Sequence, residues 1–543
     1  MLVYGPQFSV VGLTVEIRSV GRVPLVIGRG VAAIIGTAAR GPIAEPILLG
    51  SSADARQTFY QGDLYEGCQL LFGNGADVVA AIRVGGSGHE TADLDLTDDI
   101  GDPETVGTVV ATSPGAWGNQ IRMTIDDGAY PGFEFLLTVG DGTVGPYYFE
   151  NADLVESSDN FVTVGGEALG IVYATESLEA GKVYINKTEG SMTFFEGEAP
   201  TTSEVIEASV EHKTRYLTIT DNRTIETFNV SSIVKMQAAL LTSSLVRFEP
   251  VPGKTHLPKT GIDYVLTGGL DGSAITVNDW VDAMEQTMNL PQSVVPTTCV
   301  ICDHEVVLGS NDLIPRFSLM LTEAANRFIP MIGFVAAKKN STMQELLRLK
   351  SSYNNPFLVI VGNGWDAGSP EQNLAVARAG TEAGIQLGDS AAEYTNAIQG
   401  ANSLLVTFKQ EVVDVLTYNG VDVLIKSTGI LPYLGVTTNP DPNFTKTVDM
   451  RTVAYCMVVL NYVSKRFYHK RRTRQTMASL KGTLEAVFEE MVYLQVLDDF
   501  WVEVKTNYHD KNRLDVDLWI QPVGHVQRIR VVLSTGYWSD KVA

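Results

Sequence analysis

The chain has 543 residues, 45% of them hydrophobic and 19% charged, with a net charge of −23 at pH 7. That composition excludes a disordered chain, and the length exceeds one typical domain, pointing to two to four. The negative balance argues against direct nucleic-acid binding, which needs a basic footprint on duplex DNA or RNA. Taken in chain order, Leu13, Thr14, Val15, Glu16 and Ile17 alternate apolar and polar, the pattern of a half-buried strand. No partner hairpin is read beside it, so residues 1–23 are expected to form an extended arm that pairs with something distant. From residue 24 the texture becomes α/β. Residues 31–35 predict a buried strand, followed by the turn Arg40-Gly41-Pro42. A second strand is read at 46–49, a single helix over 52–72 and another buried strand over 78–84.

The pattern then changes. Residues 105–261 read as β-rich, with short strands such as 120–125, 133–139, 217–220 and 228–230 between Gly, Asp and Asn turns. Between Glu90 and Glu207 there are 23 acidic residues against three basic ones, Arg122, Lys182 and Lys187. So much like charge is costly to pack against itself, and the stretch is expected to be a solvent-facing insertion. Alternation of helices and strands resumes afterwards: helix 276–288, strand 294–301, helix 311–328, strand 331–337, helix 343–352, strand 357–361 and helix 372–383. Strands separated by helices imply a largely parallel sheet covered on both faces. Two long amphipathic helices (450–467 and 473–497), two alternating strands (501–508 and 514–521) and a last strand over 526–533 complete the chain. The fold class expected is an α/β core with a largely parallel sheet (24–104 plus 262–435). A β-rich domain inserted at 105–261 interrupts it, and a C-terminal α+β unit (436–521) and extended terminal arms (1–23 and 522–543) complete it.

Signals for chemistry are weak. Four cysteines, Cys68, Cys299, Cys302 and Cys456, are too few for a disulfide scaffold. Cys299 and Cys302 form a lone CxxC with His304 nearby, but a structural zinc site wants a second pair; buried thiols in an apolar strand are the plainer reading. There is no phosphate loop. Gly362-Asn363-Gly364 reads as a turn, because Gly368-Ser369-Pro370 interrupts the helix that a dinucleotide loop would open. Gly85-Gly86-Ser87-Gly88 misses a nucleophile elbow by one position, with His89 where glycine is needed. His304-Glu305 lacks the second histidine of a zinc-protease motif, having Leu308 there. No catalytic residue, metal or cofactor is assigned. Residues 1–10 lack the basic and apolar regions of a signal peptide, and the longest apolar-rich stretch, 452–463, is too short for a membrane span. The expectation is a soluble chain made in a cytoplasm, without membrane insertion.

One charge feature stands apart. Lys465, Arg466, Lys470, Arg471, Arg472 and Arg474 place six positive charges within ten residues at the junction of the two long helices. It reads either as a solvated basic surface or as a docking patch for an acidic partner.

Several segments resemble the contractile tail sheath proteins of myovirus-type phages, R-type pyocins and contractile injection systems. GVAAIIGTAARGPIAEPILL (residues 30–49) is similar to the family's opening strand and Arg-Gly-Pro turn, and YEGCQLLFGNGADVVAAIRV (65–84) to its helix, Asn-Gly turn and strand. SPGAWGNQIRMTI (113–125) carries its Pro-Gly-x-Trp-Gly-Asn run, LTGGLDG (266–272) its return to the core, and Val448-Asp449-Met450-Arg451 opens its C-terminal helices. The matched segments run in family order from about residue 13 to 535. Where the family often opens with Pro-Gly, this chain has Gly5-Pro6.

The resemblance implies a structural subunit, not an enzyme, that stacks as sixfold rings into a helical sheath around an inner tail tube, capped by a baseplate and a tail terminator. It lies in the tail of a virion or contractile particle assembled in the host cytoplasm. It implies that the arms add strands to neighbouring subunits, through Leu13, Thr14, Val15, Glu16 and Ile17 at one end and Val526, Ile529, Val531 and Leu533 at the other. The basic run would face the tube, the insertion the outer wall, and contraction would drive the tube through a cell envelope for genome or effector delivery. The competing readings are an α/β enzyme with an inserted β domain and another structural virion or adhesion protein.

Overall fold

The computed structural model describes residues 8–10, 13–15, 30–291, 294–302, 313–368, 371–506 and 513–524. Its centre is a six-stranded sheet ordered Leu358–Val361, Ile332–Ala336, Thr298–Ile301, Val31–Gly36, Val78–Arg83, Pro46–Leu49. All neighbours are parallel except the edge strand Pro46–Leu49. The first strand, Val31–Gly36, lies third from one side, and the chain winds outward from it in both directions. That doubly wound order puts helices on both faces. The strands are therefore apolar throughout rather than alternating: every residue of Val31–Gly36, Thr298–Ile301, Ile332–Ala336 and Leu358–Val361 is buried.

Two glycines set how closely the layers approach. A Cβ on Gly67 of helix Asp63–Gly73 would stand 2.4 Å from Ile34 Cδ1, and one on Gly333 would stand 2.4 Å from Leu321 Cδ1 of helix Ile314–Asn326. Ile34 faces one side of the sheet and Gly333 the other, so larger residues at positions 67 and 333 would force the helices off opposite faces. The single helix expected over 52–72 is two helices, Ser52–Phe59 and Asp63–Gly73. The first ends where Tyr60 takes a positive φ of 64°. There the Arg40 guanidinium donates to the carbonyls of Arg56 and Gln57, satisfying the last turn from outside the helix.

Between Val78–Arg83 and Thr298–Ile301 the chain leaves this sheet and builds two further hydrophobic cores. One lies between the three strands Asp93–Thr97, Thr105–Ala111 and Val246–Pro250 and the four strands Arg122–Asp127, Arg215–Thr220, Ile225–Val230 and Gly261–Val265, filled by Leu96, Val109, Met123, Leu217 and Phe248. The other belongs to a seven-stranded sheet within residues 132–212. Asp93–Thr97 lies outside the expected span of 105–261 yet pairs with Thr105–Ala111. Glu90 bridges Leu270 and Asp93 bridges Thr267, so the chain leaves and returns as a paired neck ahead of residue 105. The helix Ile233–Leu240, capped by Ser232, was not legible among the strands.

The C-terminal helices Thr447–Lys465 and Arg474–Tyr493 pack with the hairpin Leu497–Thr506/Leu514–Pro522 around a fourth core of Cys456, Val459, Leu484, Phe488 and Val502. Among the described residues no helix is long and apolar enough to cross a membrane.

A buried ionic cluster joins this unit to the sheet. Arg378, Glu382 and Asp422 are fully buried and Arg451 nearly so. Arg378 Nη1 donates to Glu382 Oε2 at 2.5 Å and Nε to Asp422 Oδ2 at 3.3 Å. Arg451, from the first C-terminal helix, donates to Glu382 Oε1 at 3.2 Å and to the Glu382 carbonyl at 2.8 Å. Asp422 in turn donates its N–H to Ile360 O at 2.9 Å, beside the edge strand. Removing one partner of such a cluster leaves an unpaired buried charge. Arg378→Met is therefore expected to lose about 3–5 kcal/mol in chemical denaturation, whereas replacing Arg378, Glu382, Asp422 and Arg451 together by apolar residues should cost far less. Burial raises the Asp422 carboxyl to about 6, against the pull of Arg378 and with help from Glu382. A carboxyl raised in the folded state binds its proton more tightly there than when unfolded. The stability it contributes is full below its ordinary value and is lost as pH rises from about 4 to 6. Asp422→Asn should flatten that limb of a urea-midpoint-versus-pH curve.

Candidate assembly surfaces

The basic run sits at one turn. Lys465 ends the first C-terminal helix, His469 takes a φ of 62°, and the Thr473 hydroxyl accepts the Thr476 N–H to start the next helix. Packing of Val459 and Val463 against Leu480 and Leu484 holds the helix ends together. Lys465, Arg466, Lys470, Arg471, Arg472 and Arg474 are all exposed. Arg466 donates to the Tyr462 hydroxyl at 2.9 Å and lies over its ring at 4.7 Å, and Lys470 lies 4.6 Å over Phe467. Among the described residues no carboxylate pairs with Lys465, Arg466, Lys470, Arg471 or Arg474. The structure thus gathers all six sequence-selected cations on one solvent-facing knob.

The N-terminal strand corrects the expectation that it lacks a local partner. Leu13–Val15 pairs antiparallel with Phe8–Val10, Phe8 opposite Val15 and Val10 opposite Leu13. Phe8-Ser9-Val10 has the same apolar–polar–apolar alternation, which makes a matching ladder possible. Among the described residues this hairpin joins no other sheet. Glu16, Ile17, Val526, Ile529, Val531 and Leu533 lie outside the described residues.

The C-terminal hairpin is a surface the sequence did not single out. Its strands pair over Leu497–Thr506 and Leu514–Pro522, and among the described residues neither outer edge has a partner. One face, with Val502, Val504, Val516 and Leu518, packs toward the helices. The other carries Trp501 and Trp519, 46% and 54% exposed with ring centroids 4.3 Å apart, and Lys505 bonded to Glu503 at 2.7 Å and Asp517 at 3.0 Å. A third open edge is Gly132–Val139 at the margin of the seven-stranded sheet, where Phe133, Phe135, Leu137 and Val139 are 51–61% exposed. A strand with an apolar outer face invites pairing. The strand lies within the acidic stretch, with Asp126, Asp127 and Asp141 close to it in the sequence, and like charge opposes approach by an identical copy.

The residues considered for chemistry serve the fold. Cys68, Cys299, Cys302 and Cys456 are buried free thiols; burial pushes Cys68 and Cys456 up to about 12 and Cys299 higher still. Cys302 donates to Ile35 O at 3.3 Å. Asn363 is a buried bracket, donating to Leu424 O at 2.8 Å and accepting the Leu424 N–H at 2.8 Å. Among the described residues no three His, Cys, Asp or Glu side chains gather as metal ligands. His304 lies outside them.

The sequence matches no family model and no curated protein. Solved structures do match. A sheath tail protein from Listeria innocua superposes with a TM-score of 0.59 at 15% identity, covering 92% of this chain and 92% of that one. A sheath tail protein from Desulfitobacterium hafniense superposes with a TM-score of 0.55 at 11% identity, covering 94% of this chain and 100% of that one. Near-complete coverage in both directions leads to one conclusion: this chain has the fold of the tail sheath proteins.

Proposed function

We propose that the chain is a structural subunit of a contractile sheath, linked to its neighbours by exchanged strands. The observation that carries this reading is the C-terminal hairpin, a long two-stranded sheet whose two edges are open among the described residues, on a unit clamped to the core by buried charge. A two-stranded sheet is marginal alone and gains most from added strands. Among the described residues the Phe8–Val10/Leu13–Val15 ladder has three residue pairs, so opening it costs little against a longer ladder on a neighbour. Residues 526–533 would supply a strand to the other edge. In this reading the subunits polymerise as stacked hexameric rings around an inner tube. The baseplate triggers contraction, and core plus C-terminal unit slide as one rigid body while the exchanged strands stay paired. The stored free energy is the sum of interfaces that improve on contraction, so no nucleotide is consumed. The basic knob at residues 465–474 faces the tube, and the acidic insertion faces outward.

Removing residues 1–15, or residues 525–543, should leave a folded monomer with unchanged melting temperature but abolish tubes in negative-stain micrographs; tubes of normal length from both truncations would overturn strand exchange. Lys470→Glu, Arg471→Glu and Arg474→Glu together should change stability by less than about 0.5 kcal/mol, because the groups are exposed. The same variant should lose assembly templated by the inner tube while still polymerising without it. Excising residues 88–272 at the paired neck, rather than 105–261, should leave a chain that folds and still forms tubes.

A further inference from the structure

Beyond the carboxyl ends of Val31–Gly36 and Val78–Arg83 lies a cavity of about 610 Å³, between the doubly wound sheet and the neighbouring β unit. Arg40, Arg83 and Tyr60 line it from the sheet side; Trp117, Asp221 and Arg223 line it from the β unit. In doubly wound sheets ligands bind outside the carboxyl ends of the strands, and seams between units are where pockets form.

The charges in this seam are unbalanced. Arg40 and Arg83 are only 5% and 4% exposed. Arg83 donates from Nη1 to Gly41 O at 2.6 Å and to Pro114 O at 3.0 Å, while its Nε has no partner. Arg40 uses Nη2 on the helix-end carbonyls; its Nε and Nη1 make no hydrogen bond, although Nη1 forms an ion pair with Asp221 Oδ2 at 3.6 Å. Asp221 Oδ1 is already occupied by the N–H groups of Arg223 at 3.1 Å and Thr224 at 2.7 Å. A second acid in the wall, Asp271, accepts the Ala116 N–H at 2.9 Å. Arg223 meets no carboxylate among the described residues; it lies 4.5 Å over Tyr60, with Arg40 5.2 Å from the same ring centroid. A guanidinium stacked on an aromatic ring keeps its in-plane N–H donors free, which suits bidentate binding of an oxyanion.

We propose that this seam is an anion site, taking a carboxylate or phosphate group between Arg40 and Arg223. Occupancy ties the loop after the first core strand to the β unit and so fixes how that unit is carried. The anion has two possible sources. One is a carboxylate of a second copy, favoured by the 23 acidic residues between Glu90 and Glu207; the other is a free oxyanion.

The test is independent of sheath assembly, since it uses the purified full-length chain in dilute solution. Its melting temperature is followed against inorganic pyrophosphate, with sodium chloride at matched ionic strength as reference. A saturable rise of about 2 °C is expected at a hundredfold excess over Kd, absent in Arg223→Gln, a substitution at an exposed side chain. No saturable rise, or a rise that survives in Arg223→Gln, overturns the site. Repeating the titration on self-associated protein separates the sources. Loss of the response there assigns the site to a neighbour's carboxylate, and its persistence assigns it to a free oxyanion.

Discussion

The cluster of Arg378, Glu382, Asp422 and Arg451 is the interaction on which the rest of the molecule depends. Four ionisable groups with no useful access to water are tolerable only because each guanidinium meets a carboxylate, with further donors from Arg378 and Arg451 reaching Thr447 and backbone carbonyls. The cluster joins a helix lying on the sheet, a residue beside the sheet's edge strand and the long helix of the C-terminal unit. A hydrophobic contact at this junction could slide. A set of buried charges cannot, because any displacement strands a charge in low dielectric. The C-terminal unit is therefore held to the core as part of one body, and the knob and hairpin it carries have fixed positions on that body.

Against that rigidity stand surfaces that are incomplete by design of the chain. The C-terminal hairpin is satisfied on one face by helix packing and, among the described residues, unsatisfied along both edges. The N-terminal ladder is satisfied among the described residues by three residue pairs. In the proposed strand exchange, the difference in ladder length would set a thermodynamic direction, from a short local pairing to a longer one between chains. The edge at Gly132–Val139 is open in the same sense, yet it lies amid dense negative charge, which restrains identical copies from meeting there. Where the chain would gain by pairing it is left open, and where pairing would be promiscuous it is surrounded by acid.

The strands and helices of the sheet were legible because burial on both faces leaves continuous apolar runs separated by 3.6-residue periodicity. The failures have specific causes. The helix expected over 52–72 breaks at Tyr60 because Arg40, twenty residues earlier, caps it. The β-rich stretch was recognised, but its division into two cores was not, since both are built from the same short alternating strands. The N-terminal arm was read as unpartnered because its partner ladder is only three residues long.

The basic run was visible as composition, and the fold only gathered it onto one turn. By itself the sequence determined element types, the acidic stretch and the family order of motifs, since these depend on local pattern. Tertiary structure decided which strand edges stay open and which charges are buried together. Arg378 and Asp422 are 44 residues apart and Arg451 and Glu382 are 69 apart, and a buried ion pair leaves no periodic trace along the chain. Its cost and its benefit both arise only once the chain has closed around it.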